Sequence, residues 1–279
     1  MNNKTFFSLL AFLIVTLFVH GKQQDFIIKA GQPVKIACCD SEAQVVRTSL
    51  EILCRDFHVV LSSTAIIDTK VGDIIVGTIG QSDLLKQVSI DTSVLKGKKQ
   101  AFLLVVSPEG KLVVVGSDKH GTAYGVLEVS RLLGVSPWEW WADVVPKKRE
   151  VFTLSPKFRN FQSPSVEYRG IFINDEDWGL MPWSSQTYEP STVKGTIGPR
   201  TNERIFELLL RLRANTYWPA MHECTLPFFL TKGNREVAAE FGIFIGSSHC
   251  EPMVCNAAGE WRRRGVGDYD YVNNSASVY

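Results

Sequence analysis

The segment YRGIFINDEDWG, Tyr168 to Gly179, constrains this chain more than any other stretch. An apolar run, Ile171 to Ile173, stops abruptly at an amide and three acids, Asn174 to Asp177. A short apolar run closed by turn chemistry reads as a buried parallel strand. In closed (β/α)8 barrels and open α/β sheets alike, ligands sit at the carboxyl ends of such strands. The segment therefore predicts an α/β protein with a polar site at a strand end.

The residues that follow repeat the pattern. Arg169 to Ile173 reads as a first strand. A loop rich in Gly, Pro and Ser leads to Thr201, which can cap a helix whose apolar face is Ile205, Phe206, Leu208, Leu209, Leu210 and Leu212. Asn215 to Trp218 is a second strand, Thr231 to Phe241 a second helix stopped by Gly242, and Ile243 to Ile245 a third strand. Alternation of this kind argues for parallel strands joined by helical crossovers. Each strand delivers polar or aromatic groups at its carboxyl end: Asn174, Asp175, Glu176 and Asp177; then Trp218, His222 and Glu223; then His249 and Glu251. Asn and Asp hydrogen-bond hydroxyls and Trp stacks on the C–H face of a sugar. Asn174, Asp175, Trp218, His249 and Glu251 are accordingly the candidate substrate-binding residues, while Glu176 and Asp177 read as turn and cap acids.

Upstream, residues 22–158 form a first unit of mixed strands and helices. Phe26 to Lys29 and Val34 to Cys38 read as strands. Ser41 can cap a helix from Glu42 to about Arg55, followed by strands at His58 to Leu61 and Asp73 to Gly77. Leu103–Val106 and Leu112–Val115 flank Pro108 to Gly110, a hairpin signal. His120 to Leu133 has helical periodicity, with Gly134 at the C′ position. Three Trp within Trp138 to Trp141 suit an interface seal better than a sugar platform. Val145 to Pro164 carries three prolines and reads as a linker, with the boundary near Phe158; residues 159–279 form the second unit.

Several function classes are disfavoured. A net charge of +1 offers no basic face for nucleic acid. The turn at Gly116 to Thr122 has P-loop spacing but lacks the phosphate-binding Lys. His222, Cys224, His249, Cys250 and Cys255 match no zinc spacing, so no metal is expected, and no other cofactor. No G-x-S-x-G nucleophile motif occurs. The six cysteines are too sparse for a disulfide scaffold, with a Cys250–Cys255 bridge left open. Met1 to Gly21, with Lys4 before the apolar run Phe6 to Val19, reads as a signal peptide. A periplasmic or extracellular location follows, with no membrane span elsewhere.

Five segments together resemble the family 115 glycoside hydrolases, the xylan α-1,2-glucuronidases. They are YRGIFINDEDWG itself, GSDKHGTAYG (Gly116–Gly125), GVSPWEWWAD (Gly134–Asp143), ANTYWPAM (Ala214–Met221) and SSHCEPM (Ser247–Met253). The resemblance implies a hexosaminidase-accessory-like mixed α/β domain ahead of a (β/α)8 TIM barrel, of which this chain would hold about three βα units. It implies an inverting, exo-acting enzyme that removes glucuronic acid or its 4-O-methyl ether from xylan side chains. Asn174, Asp175, Trp218 and His249 match positions that line the family's uronate pocket. Inversion needs an acid and a base roughly 6.5–9.5 Å apart. The resemblance places that pair on later barrel strands, so the chain is expected to be an N-terminal fragment, inactive alone. Glucuronoxylan or its oligosaccharides are the expected partners, with a homodimer open. No basic residue at the three strand ends pairs with a uronate carboxylate, so acidic-sugar specificity rests on the resemblance. Two other readings stand beside it: a non-catalytic carbohydrate-binding or structural product, and a hexosaminidase-like exo-glycosidase.

Overall fold

Val, Ile and Leu dominate the strands of the first unit, and the sheet they form is buried on both faces. A computed structural model of the chain describes residues 24–174, 178–249 and 251–279. The expected leader lies outside them, as do Asp175, Glu176, Asp177 and Cys250. In chain order the first unit runs β1 (Phe26–Lys29), β2 (Val34–Cys38), α1 (Gln44–Leu61), β3 (Ala65–Asp68), β4 (Ile74–Thr78), β5 (Phe102–Val106), β6 (Leu112–Gly116), α2 (Lys119–Leu133), β7 (Val151–Leu154) and β8 (Arg159–Gln162). Six strands form one mixed sheet in the order β3-β2-β4-β6-β5-β8, while β1 and β7 pair separately. The hairpin forms as expected, with β5 antiparallel to β6. The linker boundary expected near Phe158 immediately precedes β8, which pairs with β5 in this sheet.

Two local expectations are corrected. The strand expected at His58 to Leu61 is the last turn of α1. Leu50, Leu53, Phe57, Val60 and Leu61 are all buried on it, so the 3.6-residue stripe simply continues. The adjacent Val59 and Val60 mimic a strand locally, and the chain leaves the helix at Ser62 in a left-handed turn, φ 53°. Ser41 does not cap α1, whose N-cap position is Ala43.

The second unit runs β9 (Gly170–Phe172), α3 (Leu180–Trp183), α4 (Pro199–Arg211), β10 (Thr216–Trp218), α5 (Asn234–Glu240) and β11 (Phe244–Ile245). Its three strands are all parallel, in the order β11-β10-β9. The chain is thus a mixed α/β protein. Thr201 lies inside α4 rather than at its cap. Pro199 opens the helix, and the Glu189 carboxylate accepts from the backbone N–H groups of Arg200 (3.2 Å) and Thr201 (3.0 Å). A carboxylate from the preceding loop therefore satisfies donors that the helix leaves free.

Helices α1 and α2 lie between the six-stranded sheet and helices α4 and α5, and one apolar core runs through all of them. Small residues let α2 sit against the sheet: a Cβ on Gly121 would fall 2.1 Å from the Ala101 carbonyl oxygen. Polar ties cross the same interface. Tyr124 Oη donates to the Ala214 carbonyl (3.3 Å), and His120 Nε2 donates to that of Gly242 (2.7 Å). Arg211 of α4 bridges Asp56 of α1 (2.9 and 3.0 Å) and Glu207 (3.0 Å), all three side chains being nearly sealed from water. Trp140 packs edge-on against Trp183 and Tyr188, Trp141 lies tilted against Trp183, and Trp141 Nε1 donates to the Arg204 carbonyl (3.0 Å). The Trp cluster thus closes the junction of the two units.

Candidate functional site

The register of the parallel strands decides which side chains meet. Gly170 pairs with Thr216, and Phe172 with Trp218. Side chains alternate along a strand, so paired residues share a face. Tyr217, between Thr216 and Trp218, points the other way and is buried against Phe206 of α4, with ring centroids 5.3 Å apart. The face away from the helices therefore carries Gly170, Phe172, Thr216 and Trp218. With Tyr168 and Ile171, these residues line an open hollow of about 360 Å³.

At the carboxyl ends of the strands three rings gather. Phe172 and Trp218 lie edge to face at 6.0 Å, and His249, four residues past the end of β11, lies 6.2 Å from Phe172. Trp218 is 37% exposed. Its indole lies against Gly246, where an added Cβ would fall 2.2 Å from Nε1. A glycine at the end of β11 is what lets the indole lie there. His249 is exposed on a left-handed backbone, φ 49°, and its Nδ1 is 2.5 Å from Ser248 Oγ. Such a conformation is uncommon outside glycine and is often found at binding sites.

Of the residues singled out in the sequence, Trp218 and His249 are thus brought to one aromatic cluster. Asn174 is exposed two residues beyond β9. Asp175 lies outside the described residues, with Glu176 and Asp177. Glu251 is buried, at 8% exposure, and burial pushes its carboxyl up to about 7. His222 and Glu223 are exposed; Glu223 pairs with Arg262 (2.9 Å) in solvent, and His222 Nδ1 is 3.4 Å from Cys224 Sγ. Phe172 is the member that sequence reasoning missed. It read as part of an apolar strand, and only the register with Trp218 puts it at the mouth.

The arrangement offers an aromatic wall, an imidazole and an exposed amide at adjoining strand ends. Those groups can stack on a pyranose ring and bond its hydroxyls or a carboxylate. Among the described residues no cluster of three His, Cys, Asp or Glu side chains is placed to hold a metal ion. No helix among them is long and apolar enough to cross a membrane.

A family model described as glycosyl hydrolase family 115 matches residues 161–279. Among solved structures, a family GH115 4-O-methyl-α-glucuronidase with specificity for decorated arabinogalactans is 76% identical over 91% of this chain, with a TM-score of 0.90. This chain covers 34% of that protein's length. The structure CpGH84D aligns over 79% of this chain and 34% of its own, at 10% identity and a TM-score of 0.51, a likeness of fold alone. A GH20 exo-β-N-acetylglucosaminidase from Vibrio harveyi aligns over 88% of this chain and 37% of its own, at 12% identity and a TM-score of 0.48. No curated protein matches the chain.

Proposed function

The chain belongs to glycosyl hydrolase family 115, and from that premise we propose that the full-length protein is an exo-acting α-glucuronidase that removes 4-O-methylglucuronic or glucuronic acid from plant polysaccharide side chains with inversion. One observation carries this reading: 76% identity over 91% of the chain with a 4-O-methyl-α-glucuronidase. The strand-end cluster agrees with it. Trp218 and Phe172 supply the apolar wall that a pyranose C–H face needs, and His249 is the only potentially cationic side chain in that ring cluster among the described residues.

The substrate class follows from the same relative, whose specificity is for decorated arabinogalactans. Arabinogalactan bearing terminal uronate is therefore the first substrate, and glucuronoxylan, which the family resemblance suggests, is the second. The three parallel βα units are read as the opening of a (β/α)8 barrel preceded by an accessory-like α/β domain. On this reading the inner-face hollow faces the barrel axis and the ring cluster stands at its mouth. Asn174, Asp175, Trp218 and His249 contribute one side of the uronate pocket. The acid and base required for inversion, roughly 6.5–9.5 Å apart, come from the remainder of the full-length enzyme. The leader-like Met1 to Gly21 suggests export to the periplasm or beyond.

The test is release of uronic acid by the full-length protein from decorated arabinogalactan and from glucuronoxylan, resolved by anion-exchange chromatography. Release from arabinogalactan is expected to be the faster. Release from neither polymer nor its oligosaccharides would end the reading, and faster release from glucuronoxylan would reverse the substrate order. The 279-residue chain alone is expected to release none.

A further inference from the structure

Hydrogen bonds run without a break from the segment GSDKHGTAYG of the first unit to the foot of β9 and β10, the end opposite the ring cluster. Asp118 caps α2, its Oδ1 accepting from Gly121 N at 2.9 Å. Its Oδ2 accepts from Gln100 N at 2.6 Å. Gln100 is buried on a left-handed backbone, φ 54°, just ahead of β5. Its side-chain oxygen accepts from the residues that lead into two adjacent strands: from Nη2 of Arg169, before β9, at 2.8 Å, and from Nδ2 of Asn215, before β10, at 3.2 Å. Its Nε2 donates to the Glu167 carbonyl at 3.0 Å, which also accepts from Asn215 Nδ2 at 2.9 Å.

Both residues ahead of the strands are committed to this network. Arg169 Nε donates to the Arg213 carbonyl at 2.8 Å, Nη1 to the carbonyls of Val166 (2.5 Å) and Glu167 (3.0 Å), and Nη2 also to Tyr124 Oη at 3.3 Å. Each N–H of the guanidinium thus has a neutral acceptor, so the group works as a scaffold rather than as a seat for an anion. Asn215 is fully buried, and its Oδ1 accepts from Arg169 N at 3.0 Å. Arg169 and Asn215 are therefore held side by side from the first unit.

The strands need such a hold. β9 and β10 are 3 residues each, and a parallel pair that short has few ladder bonds with which to specify its own register. From the foot, Gly170 opposite Thr216, to the mouth, Phe172 opposite Trp218, the sheet runs only about 6.6 Å. A displacement at the foot therefore reaches the rings almost undiminished. We infer that Gln100 is a positioning residue: through one amide oxygen the first unit sets β9 against β10, and with them the spacing of Phe172 and Trp218. This rests on the reading of the strand ends as a uronate pocket. The first unit is then part of how the pocket is built, not a module that can be removed from it.

The experiment uses full-length protein labelled with 5-fluorotryptophan, the resonances of Trp218, Trp140 and Trp141 being assigned by their loss in single Trp→Phe variants. Wild type is compared with Gln100→Leu, which keeps the volume without the acceptor, and with Gln100→Glu, which keeps an acceptor for both Arg169 and Asn215. Gln100→Leu is expected to shift or broaden the Trp218 fluorine resonance, to leave those of Trp140 and Trp141 in place, and to lower kcat/KM for uronic acid release about tenfold per folded molecule. Gln100→Glu is expected to keep the Trp218 resonance and stay within about threefold of wild-type kcat/KM. A Gln100→Leu protein that melts lower but keeps both the resonance and kcat/KM would overturn the inference, as would a Gln100→Glu protein as impaired as Gln100→Leu. Should Gln100→Leu not fold, Tyr124→Phe decides: it removes the hydroxyl that bonds Arg169 and Ala214, and is expected to move the Trp218 resonance with about a two- to threefold loss of kcat/KM, whereas an unmoved resonance refutes the inference. A wild-type protein that releases no uronic acid defeats the functional reading instead, and the Trp218 resonance then decides the role of Gln100 by itself.

Discussion

Arg211 offers the sharpest stability prediction. Its guanidinium is nearly sealed from water and forms a fork on Asp56 of α1, with a further bond to Glu207. Arg211→Met keeps the packing volume but leaves two buried carboxylates. Glu207 retains Arg55 and Arg204 as partners, whereas among the described residues the side-chain partner of Asp56 is Arg211. The cost is therefore dominated by one uncompensated buried carboxylate, about 3–5 kcal/mol. At roughly 2 °C of Tm per kcal/mol for a chain of this size, the midpoint falls by about 6–10 °C. The second arm is Asp56→Leu in the Arg211→Met background. Removing the stranded charge recovers most of the loss, because a buried ion pair replaced by apolar groups is often neutral in stability. Urea unfolding followed by tryptophan fluorescence reads both, since Trp140 and Trp141 sit at the same junction. A loss under about 1 kcal/mol for Arg211→Met, or a double variant as weak as the sum of the singles, would refute the argument.

The remaining expectations concern the site, the helix junction and pH. Trp218→Ala should lower kcat/KM about ten- to a hundredfold, the worth of one apolar wall, and leave Tm nearly unchanged because the residue is part-exposed; kinetics with a full-length variant check it. Gly246→Ala places a methyl where the Trp218 indole now lies, so activity should fall with little loss of fold, visible as a changed tryptophan emission. Gly121→Ala drives a Cβ into the Ala101 carbonyl and should cost about 1–3 kcal/mol in a denaturant melt. Burial pushes Glu207 up, but Arg211 and Arg55 outweigh it and hold its carboxyl below the usual glutamate range. Its contribution is therefore present above that range and lost as pH falls through the depressed value, so Glu207→Gln should flatten the acid limb of a Tm-against-pH curve. Glu251 runs the other way. With its acid raised to about 7, stability is full below the usual glutamate value and is lost as pH rises through about 7. E251Q should melt higher than wild type at alkaline pH and with it under acid conditions.

How far these features could be read from the chain depends on what carried the signal. Periodicity and turn residues placed the β5–β6 hairpin, helix α2 with Gly134, and the three strands of the second unit within a residue or two, because each obeys its own local pattern. The failures had tertiary causes. Val59 and Val60 looked like a strand because β-branched pairs favour one, and only burial of the whole stripe from Leu50 to Leu61 keeps the helix going. Thr201 looked like a cap because its type is right, but a carboxylate from Glu189, twelve residues away, already serves the donors of α4.

The site divides along the same line. Trp218 and His249 were legible as polar or aromatic residues closing a strand, a property of the segment alone. Phe172 and the glycine at position 246 were not, because their roles exist only across a strand pair. A one-residue slip between β9 and β10 would turn Phe172 toward the helices and bring Ile171 level with Trp218. The register is fixed by the opposite face. Tyr217 is wedged against Phe206 and Phe228, and Arg169 N is held by Asn215 Oδ1 at 3.0 Å just before the strands begin. The residues that aim the ring cluster thus lie behind the sheet and below it. That is why Tyr217→Ala, remote from any substrate, should disturb the cluster: it should cost about 3–5 kcal/mol in stability and lower kcat/KM together. A variant that lost the stability and kept full activity in its folded fraction would show that the register is held elsewhere.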